Sequence, residues 1–442
     1  MTHPKSLSEY TKAELAEELI RRKMEELGDQ PTMTQMELAA ESMLGEAAGR
    51  PSVASMLSRM KPEKPTAKCP RCGKRTPVKA RDRERTVQSL SGPVTFRRQY
   101  HYCDSCQFGF YPVDRLLGLP EGGDLTGELE MRVLDFAVNE PFEEGAARWL
   151  LHYRELPISA NLLRRVADRV GVRCEQAEGV RLQHALQPGP ETAPAVLVVA
   201  TDGSMLPMRG EEPWKEAKVA VLFRQENYLS HRETKRGQVS QARYVATMGG
   251  QEVFAKELDA ALTVEKADSA VEVAWLGDGA PSNWTLADEL RPGATQILDW
   301  YHAVEHLMDC GKALLGEGHS LLPLWSQRAE QLLLESDIEA TISELMACLF
   351  GASRKGRQAL NDVIRYIRTN QHRMNYAEYL ERGLPIGSGF VESAHRHVLQ
   401  TRMKCAGQHW SQERAARMTR LRAAYRTAGP ARFHSAINAA AA

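Results

Sequence analysis

The sequence predicts a multidomain α/β protein, and three features of its pattern support that class. After a segment rich in proline and glycine at 187–194, short β-type runs alternate with helical patterns. Before that segment, two Cys-x-x-Cys pairs enclose residues that alternate like strands, and a helical stretch follows them. Beyond residue 300 the pattern is almost wholly helical. A chain of 442 residues is long enough for several domains, each with its own core.

The β-type runs after the proline-rich segment predict a mixed sheet. The predicted strands lie at 196–200, 219–223, 244–248, 271–276 and 296–298, with helices at 251–262 and 284–290. Three strands in succession predict an antiparallel meander, and the two helices return the fourth and fifth strands in parallel. This is the order of a ribonuclease-H-like fold, in which the first and fourth strands are neighbours.

The cysteine pairs predict a structural zinc site. They are Cys69 with Cys72 and Cys103 with Cys106, separated by 30 residues. Thiolates at this spacing converge tetrahedrally on Zn²⁺. The runs 85–90 and 94–102 predict a hairpin around Ser91-Gly92-Pro93, so the module is predicted to be a zinc ribbon. A redox dithiol explains the pattern less well, because it would need two such motifs.

Two basic zones on a chain of zero net charge indicate a polyanionic partner. Residues 61–102 contain 12 Lys and Arg against 3 Asp and Glu, and residues 396–432 contain 9 against 1. Double-stranded DNA is the predicted partner, although both zones could instead be solvated surfaces. The predicted DNA contacts in these zones are Arg71, Lys74, Arg75, Arg97, Arg98, Arg402 and Lys404.

A helix pair between the zinc ribbon and the sheet resembles a helix-turn-helix. A helix at 141–151 is followed by a turn at 156–159 and by a second helix that Ser159 or Asn161 could cap. Arg164 and Arg165 are predicted to point outward from this second helix, towards a major groove. Two short helices joined by a turn are also common in ordinary helical domains.

Three acidic residues form the predicted catalytic set. Asp202 and Asp278 follow the first and fourth predicted strands, and Glu392 follows Gly387-Ser388-Gly389 in the first turn of a predicted helix. Carboxylate oxygens suit Mg²⁺ or Mn²⁺, and a pair of such ions suits phosphoryl transfer. Either Asp-Gly step alone could equally be a simple turn.

The motifs around these residues resemble those of the DDE transposases of bacterial insertion sequences, and most closely the Kra-type family. The matching segments are Thr201-Asp202-Gly203-Ser204, Leu276-Gly277-Asp278-Gly279-Ala280, Asp299-Trp300-Tyr301-His302 and Pro385–Ser393. The resemblance implies that Asp202, Asp278 and Glu392 are catalytic and hold two metal ions. It also implies a role for His302 near them, binding of terminal inverted repeats and target DNA, and a homodimer or higher oligomer.

The same stretch permits another interpretation of His302. The pattern His302-Ala303-Val304-Glu305-His306 fits an inverted zinc-peptidase motif, although no third ligand is evident. His302 could also have a packing role at a helix start. For the whole protein, the alternatives to a transposase are a related nuclease that does not join strands and a non-enzymatic zinc-containing DNA-binding regulator.

The predicted domain order follows from these assignments. It comprises an N-terminal helical segment at 1–60, a zinc ribbon at 61–117, a helix-turn-helix domain at 124–186, a catalytic core at 195–300 and 385–428, and an all-α insertion at 301–384. The N-terminal helices are candidates for subunit contacts. Because no apolar stretch reaches membrane-span length, we predict no membrane partner. The resemblance to bacterial transposases implies a cytoplasmic location associated with the nucleoid.

Overall fold

The computed structural model describes the chain from residue 63 to residue 441 with short gaps. The described residues are 63–90, 92–117, 119, 123–154, 156–231 and 236–441, together with Thr11, Glu14, Leu15, Arg22, Glu25 and Glu26. The helical segment predicted at 1–60 therefore lies almost entirely outside the described residues. Contacts divide the chain into two compact units, Met1–Phe136 with Phe142–Leu163 and Ala137–Pro141 with Arg164–Ala442. The predicted mixed α/β, multidomain class is confirmed.

The first unit contains a four-stranded antiparallel sheet. Its strands are β1 (Thr66–Lys68), β2 (Arg75–Ser89), β3 (Gly92–Cys103) and β4 (Phe108–Phe110), in the order β1-β2-β3-β4. The predicted hairpin is confirmed as β2–β3, and it is longer than the sequence pattern suggested. The helices that follow β4 in the chain are α1 (Pro112–Leu116), α2 (Gly127–Asn139), α3 (Phe142–His152) and α4 (Ala160–Gln176), and the residues of α4 from Arg164 onward belong to the second unit.

The short helix α1 packs against the long hairpin. Register shifts on either side of Ala80 bend the hairpin, and Asp82 there has a φ of 54°. The Asp114 carboxylate of α1 pairs with Arg85 at 2.8 Å and also with Arg98. All three side chains are at least four-fifths buried, so these ion pairs fix α1 to the hairpin.

The turn after α3 is organised by a tryptophan. Trp149 is fully buried, and its indole N–H donates to the carbonyl of Leu156 at 2.7 Å. Leu151 is 69% exposed, so Trp149 rather than this leucine provides the buried face of α3. Ser159 caps α4, because its Oγ accepts from the backbone N–H of Leu162 at 3.2 Å, as the sequence predicted.

The second unit is built on a five-stranded mixed sheet. In chain order its elements to residue 298 are α5 (Gly179–Leu186), β5 (Val196–Pro207), β6 (Trp214–Arg224), β7 (Tyr228–His231), β8 (Arg236–Val239), β9 (Arg243–Thr247), α6 (Gly250–Val264), β10 (Glu272–Gly277), α7 (Pro281–Leu290) and β11 (Thr295–Leu298). The strand order is β11-β10-β5-β6-β9. Strands β5, β6 and β9 pair antiparallel, whereas β10 pairs parallel with both β5 and β11.

The first and fourth predicted strands, β5 and β10, are neighbours as the sequence predicted. The apolar runs 197–200 and 273–276 are buried throughout, which is the pattern of strands covered on both faces. The hairpin β7–β8 was not predicted, because its residues lack a clear alternation of apolar side chains.

Helices make up nearly all of the chain after β11. They are α8 (Trp300–Leu315), α9 (Leu322–Leu334), α10 (Ile338–Ala347), α11 (Arg354–Asn370), α12 (Tyr376–Glu381), α13 (Gly389–Ala394), α14 (Thr401–Met403), α15 (Gln412–Ala428) and α16 (Pro430–Ala441). A π-helical turn at His395–Gln400 joins α13 to α14. None of the described helices combines the length and the apolar character needed to span a bilayer.

The proline-rich segment 187–194 packs within the second unit. The fully buried Arg243 donates to the carbonyls of Gln183 and Gln187, at 2.6 and 2.8 Å, and pairs with Glu265 at 2.7 Å. Lys266 donates to the carbonyl of Glu191. These hydrogen bonds fasten α5 and the proline-rich segment to the rest of the second unit. The segment is therefore not the boundary between the two compact units, which lies between Leu163 and Arg164 at this part of the chain.

Candidate functional site

The four cysteines of the first unit converge on one point. Among the described residues, they are the group of His, Cys, Asp and Glu side chains that could hold a metal ion, and their sulfur atoms all lie within 4.8 Å of one another. The sulfurs of Cys72 and Cys103 are 3.6 Å apart. Four sulfurs at about 2.3 Å from a tetrahedral Zn²⁺ are roughly 3.8 Å from each other, whereas a disulfide needs about 2.0 Å. The cluster therefore fits a zinc ion.

Each cysteine pair sits in a tight backbone turn. The residues directly after the second cysteine of each pair, Gly73 and Gln107, both have left-handed backbones with φ of 73° and 48°. The N–H of Gly73 donates to the carbonyl of Cys69 at 2.9 Å, which closes the first turn. Such turns direct both thiols of a pair to the same side.

The thiol pKa values also favour a cation. Burial raises the pKa of the Cys69 thiol, but the N–H groups of Arg71 and Cys72 outweigh it and lower the value to about 7. Hydrogen bonding with Cys72 and burial raise the pKa of Cys106 to about 12. Four adjacent thiols cannot all ionise without a positive charge between them, and zinc supplies that charge.

The basic residues predicted to contact DNA in this module divide into two groups. Arg71, Lys74 and Arg75 are exposed, and the side chain of Arg97 is 69% exposed. Arg98 is different, because its side chain is only 16% exposed, pairs with Asp114 and lies 3.6 Å from the centre of the Tyr111 ring. The DNA contact by Arg98 stays a prediction, and its charge already has a buried partner in Asp114.

In the second unit, Asp202 and Asp278 occupy equivalent positions on neighbouring strands. Ala200 of β5 pairs with Leu276 of β10 in a parallel register, so both aspartates lie two residues beyond this pair. Asp278 follows the end of β10 as predicted, but Asp202 lies inside β5, which continues to Pro207 and pairs there with β6. The parallel pairing of β5 with β10 stops just before Asp202, although β5 itself does not end there. We call Asp202, Asp278 and Glu392 the acidic edge.

The carboxylate of Asp278 is oriented by a chain of hydrogen bonds. Its Oδ1 accepts from the amide of Asn283 at 2.8 Å and from the backbone N–H of Ala280 at 3.0 Å. The hydroxyl of Thr201 donates to Asn283 Oδ1 at 3.2 Å, and the indole of Trp275 donates to that hydroxyl at 3.3 Å. Both strands therefore contribute to holding Asp278.

Asp299 joins the end of the sheet to the loop that precedes Glu392. Its side chain is fully buried and caps α8 through the N–H of Tyr301. The N–H and the hydroxyl of Ser388 donate to its two carboxylate oxygens, at 2.8 and 2.7 Å. Gly387 allows this approach, because a Cβ there would lie 2.6 Å from the Tyr301 ring.

His302 lies between Asp299 and the acidic edge. Its Nδ1 makes a short contact with Asp299 Oδ2. This hydrogen bond, followed by the charges of Asp299, Asp278 and Asp202, outweighs burial and raises the pKa of His302 to about 9. The imidazole is therefore a cation at neutral pH, beside two of the carboxylates.

His395 connects the helix of Glu392 to Asp202. Glu392 lies in the first turn of α13, as predicted, and is exposed, while His395 follows it by three residues and so lies on the same face. His395 Nε2 is 3.2 Å from Asp202 Oδ2, and the His395 side chain is 6% exposed. Burial raises the pKa of Asp202, but the His395 contact, the N–H of Gly203 and the charge of His302 together lower it below its ordinary value.

Sequence reasoning missed three residues that organise this edge, Asn283, Ser388 and His395. Two weak signals were available. Ser388 lies between two glycines just before Glu392, and His395 follows Glu392 at a helical spacing. Neither pattern identifies a functional residue by itself, because the contact partners, Asp299 and Asp202, are known only from the fold.

Comparison with known proteins gives a family. Residues 50–435 match an uncharacterised protein family, UPF0236. The chain belongs to UPF0236. No curated protein matches the sequence. One solved structure similar to this UPF0236 chain is the Drosophila P element transposase strand transfer complex, with 12% identity and a TM-score of 0.33 over 67% of this chain and 91% of that one. A likeness at that level carries no inference about function.

In this UPF0236 chain, the second basic zone is mostly occupied by internal contacts. Arg402 is fully buried and donates to the carbonyl of Ala137 at 3.1 Å. Its predicted DNA contact stays a prediction, and in this structure the side chain is used inside the fold. Arg422 is 1% exposed and donates to the carbonyls of Val138, His397 and Val398. Lys404 is exposed, and its ammonium donates to the hydroxyl of Ser204 at 2.8 Å, two residues from Asp202.

Two other arginines of α15 pair with acidic residues of the second unit. Arg417 pairs with Glu175 at 3.2 Å, and Arg420 pairs with Glu257 at 2.6 Å. The charges of these two arginines are therefore matched within the second unit. In the predicted helix-turn-helix, Arg165 is exposed and Arg164 is half-buried.

The zinc-peptidase interpretation gains no support in the UPF0236 structure. His302 is engaged by Asp299, and the ring of His306 packs on Tyr366 with centroids 4.1 Å apart. Among the described residues, neither histidine belongs to a group of three ligands close enough to hold an ion.

Proposed function

We propose that this UPF0236 member is a DDE transposase with a ribonuclease-H-like catalytic core. The observation that carries the proposal is the shared register of Asp202 and Asp278 on adjacent parallel strands. Glu392 is assigned to the same site because the contact between His395 and Asp202 fastens the segment directly after the helix of Glu392 to this part of the sheet. A strand order of β11-β10-β5-β6-β9 also supports the ribonuclease-H-like core predicted from the sequence.

The donor set of the acidic edge fits magnesium or manganese. All three ligands offer carboxylate oxygens, which these hard cations prefer. Within the described residues, the three carboxylates do not form a closed ion cage by themselves. Magnesium sites in phosphoryl-transfer enzymes use one or two carboxylates and complete their coordination with water and substrate phosphate. Two bound ions would activate the attacking water or 3′-hydroxyl and stabilise the leaving oxygen.

The chain's own residues position the DNA backbone at this edge. Asn283 and the N–H of Ala280 fix the direction of the Asp278 carboxylate. His302 carries a proton at neutral pH, and Asp299 holds its Nδ1, which leaves Nε2 to donate to a phosphate oxygen. The exposed ammonium of Lys404, beside Ser204, can contact the next phosphate.

DNA recognition is assigned to the first unit and to α4. The exposed cations Arg71, Lys74, Arg75 and Arg97 surround the zinc module, and Arg165 is exposed on α4, beside Arg164. Such contacts would bind terminal inverted repeats and target DNA, with phosphate contacts supplying affinity. Two DNA ends must be held together for joining, so the active species would be a dimer or a larger assembly.

The test is an assay with the full chain, magnesium, DNA carrying the ends of the native element, and a target plasmid. Joined products would support a transposase, cut but unjoined DNA would replace it with a nuclease, and binding alone would replace it with a regulator. The matched control is Asp309→Asn, because Asp309 is an exposed aspartate on α8. The proposal fails if Asp278→Asn retains the activity of that control.

A further inference from the structure

The helical region between β11 and α13 reaches the acidic edge through a tyrosine. Tyr366 lies on α11 and is half-buried, and its hydroxyl donates to the backbone carbonyl of Asp278 at 3.4 Å. Helix α11 packs along α8, and its residues Val363 and Ile367 are buried. The tyrosine is therefore carried by a fixed helix and joins that helix to the end of β10.

The turn after Asp278 leaves room for this hydroxyl because the next residue is a glycine. Gly279 has a φ of 91°, a left-handed conformation that favours glycine. A Cβ there would lie 3.1 Å from the hydroxyl oxygen of Tyr366. The same turn presents the N–H of Ala280, which donates to Asp278 Oδ1 at 3.0 Å. Tyr366 therefore packs directly on the turn that orients the Asp278 carboxylate.

The ring of Tyr366 is also held from α8. His306 of that helix packs on the ring with centroids 4.1 Å apart. Burial, followed by the charges of Asp278 and Asp299, raises the pKa of Tyr366 above its ordinary value. The hydroxyl is therefore protonated at neutral pH and remains a hydrogen-bond donor to the turn.

A second contact from the same helical region supports the other hydrogen bond to Asp278. The guanidinium of Arg373 lies 4.4 Å from the centre of the Trp284 ring. Trp284 is adjacent to Asn283 near the start of α7, and the Asn283 amide donates to Asp278 Oδ1 at 2.8 Å. Side chains of the helical region therefore lie behind both groups that bind the Asp278 carboxylate.

We propose that Tyr366 is a positioning residue, which fixes the direction of the Asp278 carboxylate and thereby raises the affinity of the acidic edge for a divalent ion. Residues that hold a metal ligand in place restrict its orientation, and their loss typically lowers metal affinity by about 10–100-fold. The inference rests on the proposed function, because it takes Asp278 as a metal ligand. It makes the helical region part of the site.

A manganese titration of the zinc-loaded full chain, followed by electron paramagnetic resonance, tests the proposal without requiring DNA cleavage. Tyr366→Leu should raise the dissociation constant for Mn²⁺ by about 10–100-fold, because the hydroxyl and the ring are both lost. Tyr366→Phe keeps the ring and should raise it by about 2–10-fold, the effect of one hydrogen bond.

Tyr379→Phe is the matched control. The Tyr379 hydroxyl also donates to a backbone carbonyl of the sheet at 3.4 Å, but that carbonyl belongs to Gln296 on β11. Its affinity for Mn²⁺ should equal that of the wild type. An unchanged affinity in Tyr366→Leu, or an equal loss in Tyr379→Phe, would overturn the proposal.

Hydrogen exchange separates positioning from a general loss of stability. The amide of Ala280 should exchange faster in Tyr366→Leu, while the amides of β5 and β10 should exchange as in the wild type. Faster exchange throughout both strands, or an unchanged Ala280 amide, would exclude the positioning role.

Cleavage by the wild type distinguishes failure of this inference from failure of the proposed function. If the wild type does not cleave DNA but Tyr366→Leu loses affinity for Mn²⁺, the proposed function fails and the inference stands. If the wild type cleaves DNA and the affinity of Tyr366→Leu is unchanged, the inference fails and the proposed function stands. A wild type without saturable manganese binding would overturn the inference whatever its cleavage activity.

Discussion

The cysteine module and the acidic edge both gather candidate metal ligands, but they are assembled over very different distances along the chain. The four cysteines come from two short turns at the base of one hairpin, and their sulfurs already lie within 4.8 Å of one another. The carboxylates at 202, 278 and 392 come from two strands and a helix, and no closed cage forms among them in the described part of the chain.

This difference corresponds to two kinds of metal chemistry. A closed set of four thiolates leaves no free position on zinc, so its role is to stabilise the local fold. An open set of carboxylates leaves coordination positions for water and phosphate, which a phosphoryl-transfer site needs. Metal removal should therefore affect structure at the first site and chemistry at the second.

Removing zinc should have the largest effect. Binding of zinc to four cysteines contributes on the order of 10 kcal/mol to local folding, so a chelator or Cys103→Ser should unfold the hairpin of residues 75–103. Hydrogen exchange should show lost protection there and retained protection in β5 and β10. Metal analysis of the native protein should give one zinc per chain, and a metal-free hairpin with native protection would contradict the assignment.

Asp278→Asn should leave the fold intact and reduce activity at the acidic edge, whereas zinc removal should unfold its own site. The amide keeps an oxygen to accept from Asn283 and Ala280, so the thermal midpoint should stay close to wild type. Magnesium-dependent DNA cleavage should fall by at least about 1,000-fold, because a negatively charged ligand is lost. A comparable fall in Asp309→Asn would show that the effect is not specific to the edge.

Asp299→Asn should have an intermediate effect on the acidic edge. The substitution removes the charge that holds His302, so the pKa of His302 should move from about 9 towards its ordinary value of about 6.5. Cleavage should fall by about 10–100-fold, as expected for a residue that orients another. Asp337→Asn is the control, since Asp337 caps α10 in the same manner and has no such role. An unchanged His302 titration in Asp299→Asn would exclude the positioning role.

The pH dependence of His302 is the smallest expected effect. Because folding raises its pKa from about 6.5 to about 9, the stability it contributes is complete below pH 6.5 and is lost as the pH rises through 9. Nuclear magnetic resonance of the imidazole should show a midpoint near 9 in the wild type. His302→Gln should flatten the stability profile between pH 6.5 and 9, and an identical profile in the two proteins would refute the assignment.

Charge counting from the sequence was informative in one basic zone and misleading in the other. Arg97 is exposed and remains a candidate for DNA contact, whereas Arg402 and Arg422 are buried and bond to backbone carbonyls. Sequence periodicity did not reveal the burial of Arg422, because α15 has apolar and basic residues distributed around the whole helix. An arginine can bury its stem and bond carbonyls as readily as it can face solvent.

The sequence by itself determined the five strands of the mixed sheet, the hairpin between the cysteine pairs and the residues Asp202, Asp278 and Glu392 as a candidate set. Those features depend on local periodicity, turn residues and short spacings, which can be recognised in the sequence without knowledge of the fold. Tertiary structure alone decided that His395 contacts Asp202, that Ser388 binds Asp299 and that Arg402 is buried. Each of those contacts joins residues far apart in the chain, and their partners are selected by the packing of whole helices against the sheet, which no local pattern encodes.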